Sequence, residues 1–293
     1  MPLLRRQESR EFKEGTVISE ERTMKIAFIG AGVMGEAMIS ALLRQGGTSH
    51  DTVFACEIDQ ARLTHIGEKY KVNCSPDINR AVIDRDVVVL SIKPQTLAKV
   101  MKGLKGELKE EQLVLSIVAG AKIDTLRKGL GHDKVVRVMP NTPAQVGEGM
   151  SVWTTTAAVS QEQKDMVQTI LRAMGKEIYF SDEKYIDMAT AVSGSGPAYI
   201  FLVMEALIDA AVHIGLPREL AEELVAQTVL GSAHMIMKSG KHPAELKNSV
   251  TSPGGTTAEG LLCLEEGGVR AIMAQAVIAA YEKAKLLGGE SGK

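Results

Sequence analysis

The chain has 293 residues, 45% of them hydrophobic and 24% charged, with 34 Lys+Arg against 36 Asp+Glu for a net charge of −2. That length suits about two domains. The composition excludes bulk disorder, and the balanced charge gives no support to a nucleic-acid or membrane-surface partner. Its three cysteines, Cys56, Cys74 and Cys263, lie far apart, and its six histidines are scattered with no HExxH. Neither a disulfide framework nor a metal site is expected. No apolar run looks close to the roughly 18 residues of a spanning helix. The reading is a soluble, cytoplasmic protein whose chemistry comes from an organic cofactor or from acid/base groups.

Residues 1–23 mix basic and acidic side chains and lack the apolar stretch of a signal peptide, so they read as a disordered extension. KIAFI (25–29) is a short apolar run that stops at glycines, as a buried parallel strand does. Met34, Met38, Ala41 and Leu42 follow at helical spacing until Gly46-Gly47. TVFAC (52–56) reads as a second strand and residues 60–70 as a second helix. DVVVLSI (86–92), LVLSIV (113–118) and KVVRVM (134–139) read as the third, fourth and fifth strands, with SVWTT (151–155) and EIYF (177–180) as edge strands. Strands alternating with helices predict an α/β domain over residues 24–182, a doubly wound parallel sheet of Rossmann type. From Glu183 the texture changes to Ala, Met, Leu and Gly at helical spacing, broken near Pro217, Gly240 and Ser252-Pro253-Gly254-Gly255. Residues 183–293 are therefore expected to be all-helical, with apolar faces suited to a partner subunit.

Gly30-Ala31-Gly32-Val33-Met34-Gly35 is a GxGxxG between a strand and a helix, the context that makes this motif a dinucleotide signature. Its glycines permit the tight turn, the approach of a pyrophosphate and close helix–strand packing. Glu57 ends the second strand, where an acid accepts bonds from the ribose hydroxyls and repels a 2′-phosphate, favouring NADH. Arg62, one helical turn on, is placed either to pair with Glu57 or to meet a 2′-phosphate. Ser91-Ile92-Lys93-Pro94, Ala119-Gly120-Ala121 and Asn141 end the next three strands at the same edge, where ligands bind in such sheets. Pro94 restricts Lys93 to an extended backbone. Thr256 and Glu259 have capping-box spacing, so Thr256 is the expected N-cap of a helix whose free N–H groups suit an anion, leaving the Thr257 hydroxyl for a ligand. Gly194, Gly196 and Pro197 are expected to loosen a long helix near its start.

The sequence resembles the pyrroline-5-carboxylate reductase family. The matching pieces are IGAGVMG (29–35), SIKP (91–94), VMPNTP (138–143), AVSGSGPAY (191–199), GLPRELA (215–221) and VTSPGGTTAEGL (250–261). The resemblance implies reduction of the C=N bond of 1-pyrroline-5-carboxylate to L-proline, the last step of proline biosynthesis. It implies NADPH as cofactor, with NADH also expected to work. It places the substrate carboxylate on Ser252, Gly255, Thr256 and Thr257, the Thr257 hydroxyl near the ring nitrogen, and Glu183 against the substrate. It implies pairing through the helical domain into a homodimer, or a decamer of such dimers. One departure is visible: many relatives carry Asp-Asn where this chain has Asp77-Ile78-Asn79. A related imine or hydroxyacid dehydrogenase and a non-catalytic dinucleotide sensor are the alternative readings. The hydroxyacid enzymes use a lysine where this chain has SGSGPAY (193–199).

Overall fold

The computed structural model describes residues 23–289; the extension read at residues 1–23 lies outside them but for Thr23. Along the chain run β1 (Ile26–Ile29), α1 (Val33–Gln45), β2 (Val53–Cys56), α2 (Gln60–Tyr70), β3 (Asn73–Ser75) and α3 (Ile78–Val82). Next come β4 (Val87–Leu90), α4 (Leu97–Leu104), β5 (Leu113–Ser116), α5 (Ile123–Leu130), β6 (Val135–Met139), β7 (Gly149–Thr155), α6 (Gln161–Arg172) and β8 (Gly175–Tyr179). The sheet order is β3-β2-β1-β4-β5-β6-β7-β8. All neighbours are parallel except β6 and β7.

The apolar runs explain this architecture. All four residues of β1, β2, β4 and β5 are buried, as a sheet covered on both faces requires. One face packs Phe28, Met38, Leu42, Trp153 and Leu171; the other packs Leu90, Leu97, Leu104 and Leu126. Two details differ from the sequence reading. β3 (NCS) was missing from it, so DVVVLSI forms the fourth strand. SVWTT is no edge: β7 sits between β6 and β8, and its reversal is what turns the chain back at the sheet margin.

After β8 the described chain is helical: α7 (Lys184–Ala189), a π-helical turn (Thr190–Gly194), α8 (Gly196–His213), α9 (Arg218–Ser239), α10 (Pro243–Ser249), α11 (Thr256–Glu266) and α12 (Val269–Leu287). The π turn falls on the glycine-rich stretch expected to loosen a helix. One sequence expectation fails here. The continuous helical run Lys184–His213 is long and apolar enough to cross a membrane by length and composition, one 18-residue window of it having mean hydropathy 1.5. Glu205 and Asp209 interrupt its apolar sequence. α8 buries no residue fully, and Phe201 and Leu202 are 60% and 65% exposed. In α9 only Ala221 is buried and in α12 only Ala284. Apolar surface on this scale marks a contact face.

Candidate active site

Strand register assembles the site. Ile29 is level with Cys56 and Leu90, Leu90 with Ser116, and Ser116 with Arg137. The residues that follow these strand ends therefore share one carboxyl edge. β1 has β2 on one side and β4 on the other, so the chain reverses its winding there, which is where such sheets bind ligands. The two sides are tied together: the Ser91 hydroxyl donates to the Gly30 carbonyl at 2.6 Å, and the Gly30 N–H donates to the Cys56 carbonyl at 2.8 Å. Gly30 has φ +93, and a Cβ there would lie 2.6 Å from the Ser91 carbonyl oxygen. A Cβ on Gly35 would lie 2.6 Å from the Gly30 carbonyl oxygen. Both glycines are thus imposed by the chain itself. Gly32 is different. It is exposed, and a Cβ there would meet nothing within 4 Å. It is also the N-cap of α1, with no side-chain cap. Open space over uncapped N–H groups fits a dinucleotide pyrophosphate. Val33 is exposed and Met34 half-buried beside it.

Glu57 closes one flank. Its Oε2 accepts from the Ala31 N–H at 3.0 Å, and its Oε1 from the N–H groups of Ile58 and Asp59 at 2.8 and 3.3 Å. Arg62 does not pair with Glu57. Its Nε donates to the Ala31 carbonyl at 2.6 Å, and its Nη2 bonds the Glu36 carboxylate. Glu36 also accepts from Lys69 and Tyr70, both at 2.9 Å, and lies 3.2 Å from His65 Nε2. Burial alone would raise the Glu36 pKa; the hydrogen bonds from Lys69, Tyr70, His65 and Arg62 outweigh it and bring it down to about 2.

The remaining edge loops are occupied in ways the sequence did not show. Lys93 is extended and exposed before a 3₁₀ turn over Pro94–Thr96, and Ile92 is half-buried. Gly120 has φ +74, and a Cβ there would lie 2.8 Å from Cβ of Leu287 at the end of α12. Its small size is explained by that helix, not by space left for a ligand; Ala119 stays half-buried and Ala121 is buried. Both ends of the Asn141 amide are engaged, Nδ2 donating to the Ser193 carbonyl at 3.0 Å and Oδ1 accepting from the Met150 N–H at 2.8 Å. Asn141 thereby holds the π turn to the sheet edge.

Glu183 joins three elements. Its Oε1 accepts from the Ile123 N–H at the start of α5 and from Arg137 Nη1 of β6, each at 2.8 Å. Arg137 Nη2 also bonds Asp187 of α7 at 2.5 Å. Arg137 and Asp187 are buried, and Glu183 is 30% exposed. Sequence reasoning missed Arg137 and Asp187. The signal was an arginine inside the apolar run KVVRVM, which needs a buried acid.

At the far end, Gly255 is the N-cap of α11, and Thr256 opens the helix without capping it. This corrects the capping-box reading. A Cβ on Gly255 would come within 2.4 Å of Ser252 Oγ, so the tight turn excludes a side chain where Thr was expected to cap one residue later. Among the described residues the Thr256 and Thr257 hydroxyls have no hydrogen-bond partner. Ser252 and Thr256 are exposed and Gly255 and Thr257 half-buried. α11 packs on α12, which packs on α7 and the π turn. An open, largely apolar groove of about 470 Å³ lies where Asn141 and Pro143, the start of α8 and Met273 and Val277 of α12 meet.

Residues 183–287 match the family model described as pyrroline-5-carboxylate reductase dimerisation. Residues 25–120 match one described as NADP oxidoreductase, coenzyme F420-dependent. Pyrroline-5-carboxylate reductase of Arabidopsis thaliana is 42% identical over 265 residues, 90% of this chain and 96% of the relative. The chain belongs to the pyrroline-5-carboxylate reductase family. The pyrroline-5-carboxylate reductase structure from Coxiella burnetii superposes with TM-score 0.83 at 38% identity, covering 91% of this chain and 99% of that one. That from Plasmodium falciparum, with NADP bound, gives TM-score 0.83 at 35% identity over 90% and 98%. The exposed faces of α8 and α9 lie inside the matched dimerisation region.

Proposed function

We infer that the chain is an NAD(P)H-dependent oxidoreductase that reduces the C=N bond of 1-pyrroline-5-carboxylate to L-proline. One observation carries the assignment of roles. Two glycine turns, 30–35 and 252–257, each open a long helix whose N-cap is glycine with no side-chain cap. Each leaves backbone N–H groups for an anion. The first takes the dinucleotide pyrophosphate, with Glu57, Ser91, Ile92, Lys93, Pro94 and the 119–121 loop around it. The second takes the substrate carboxylate, through the main chain at Gly255, Thr256 and Thr257 and the Ser252 hydroxyl.

A nicotinamide held at the sheet edge by the 30–35 turn and its neighbours would supply the hydride for the imine carbon. The chain's part is orientation and a hydrogen-bonding group at nitrogen. A cyclic imine gains a proton readily, so no strong acid is needed, and the unpartnered Thr257 hydroxyl suffices to hold the nitrogen. Glu183 Oε1, bonded to Arg137 and Ile123, fixes the start of α5 and β6 at the junction, and its half-exposed carboxylate is the substrate contact the resemblance implies. Asn141 acts indirectly, on the π turn. The working form is a homodimer through residues 183–287, with decamers of such dimers and a cytoplasmic location as the finer expectation. Purified enzyme with L-proline at high pH should reduce NAD⁺ and NADP⁺. Absence of proline-dependent reduction with both would overturn the assignment.

A further inference from the structure

We propose that this chain binds NADH more tightly than NADPH, and that Glu36 enforces the choice from a distance by holding Arg62 on itself. The inference rests on the dinucleotide reading above. The segment after β2 is Glu57-Ile58-Asp59-Gln60. Three N–H groups fix the Glu57 carboxylate, and the bond from Ala31 sets it against the glycine turn. An acid there accepts the two ribose hydroxyls and repels a 2′-phosphate. Asp59 adds a second carboxylate, held in place as the N-cap of α2 by the Arg62 N–H at 3.0 Å.

A phosphate needs a cation to offset these acids. Arg62 is the basic side chain in the first turn of α2, and two of its three guanidinium nitrogens are engaged away from Glu57. Nε is on the Ala31 carbonyl and Nη2 is on Glu36. Glu36 draws His65 and Lys69 to its other oxygen, so the basic side chains on this face of α2 point at one carboxylate of α1. It stays ionised at any working pH, its pKa being about 2. What faces the ribose is therefore Glu57 and Asp59, with the nearby positive charge held behind them. Glu36 touches neither ribose nor phosphate; it is a positioning residue for specificity.

Direct titration of the full-length protein with NADH and with NADPH, read by nucleotide fluorescence without substrate, tests this. The Kd for NADPH should exceed that for NADH by about tenfold or more, since like-charge juxtaposition is costly in a binding site. Added salt should narrow the gap, because screening weakens the repulsion. Glu57→Ser should shrink the ratio by about tenfold. Glu36→Gln, which frees Arg62, should shrink it too, chiefly by tightening NADPH. Equal or tighter NADPH binding by the unmodified chain overturns the proposal, as does a ratio that Glu57→Ser leaves unmoved. A folded Glu36→Gln with an unchanged ratio removes Glu36 from it; if that variant does not fold, the unmodified chain and Glu57→Ser still decide the preference. Binding of neither nucleotide would instead overturn the dinucleotide reading itself.

Discussion

Thr256 shows how a residue pattern and a backbone can disagree. Thr256 and Glu259 have the spacing of a capping box, yet the N-cap falls one residue earlier, on Gly255. The motif was legible and its register was not. Thr256→Val should therefore change stability by less than about 0.5 kcal/mol, as surface substitutions do. Asp59→Ala, which removes a real cap from α2, should cost about 1 kcal/mol. Thermal melts of both variants check the contrast; equal losses would restore the capping box. Glu36 makes a pH prediction. Its folded pKa of about 2 lies below the ordinary 4.5, so the stability it contributes is full above pH 4.5 and is lost as pH falls towards 2. The melting temperature of the unmodified chain should drop through that window more steeply than that of Glu36→Gln. Parallel pH profiles would mean the cluster is not formed.

Elements were legible in proportion to their apolar content. β1, β2, β4, β5 and β6 announce themselves because buried parallel strands are continuous apolar runs. β3, only Asn-Cys-Ser, carries no such signal and exists because β2 offers it an edge. The reversal of β7 was equally silent, since alternation does not encode strand direction. The junction between sheet and helices was hidden for another reason. Arg137 lies 46 and 50 residues before Glu183 and Asp187 and meets them only once β6 and α7 are placed. Burying Arg137 with Asp187 leaves little tolerance for losing either partner. Arg137→Met should cost about 3–5 kcal/mol by stranding Asp187 and Glu183. Urea denaturation measures it, and a loss under about 1 kcal/mol would show that water reaches the cluster. Glu183→Gln keeps an acceptor for Ile123 and should be milder.

At the scale of the molecule, the sheet half encloses two buried cores, while α8, α9 and α12 leave most of their apolar side chains uncovered. The change of texture near residue 182 was legible, and so was the surplus of apolar helix faces. The identity of what covers them was not, because a helix that faces a partner and one that faces lipid have similar composition. The match of residues 183–287 to a dimerisation region supplies that partner as a second copy. Light scattering at micromolar concentration should give at least a dimer, and a stable, active monomer would contradict the account. The two glycine turns proposed to bind anions sit in different halves of the chain, so the most direct test asks whether they serve one reaction. The measurement is steady-state reduction of 1-pyrroline-5-carboxylate by the unmodified enzyme, Thr257→Val and Thr257→Ser, with L-proline quantified. The unmodified enzyme should form one proline per NAD(P)H oxidised. Thr257→Val should keep KM within a few-fold and lose about 10–100-fold in kcat, the worth of one hydrogen bond to a charged group. Thr257→Ser should recover most of it. Full activity in Thr257→Val, or no proline from the unmodified enzyme, would contradict the account.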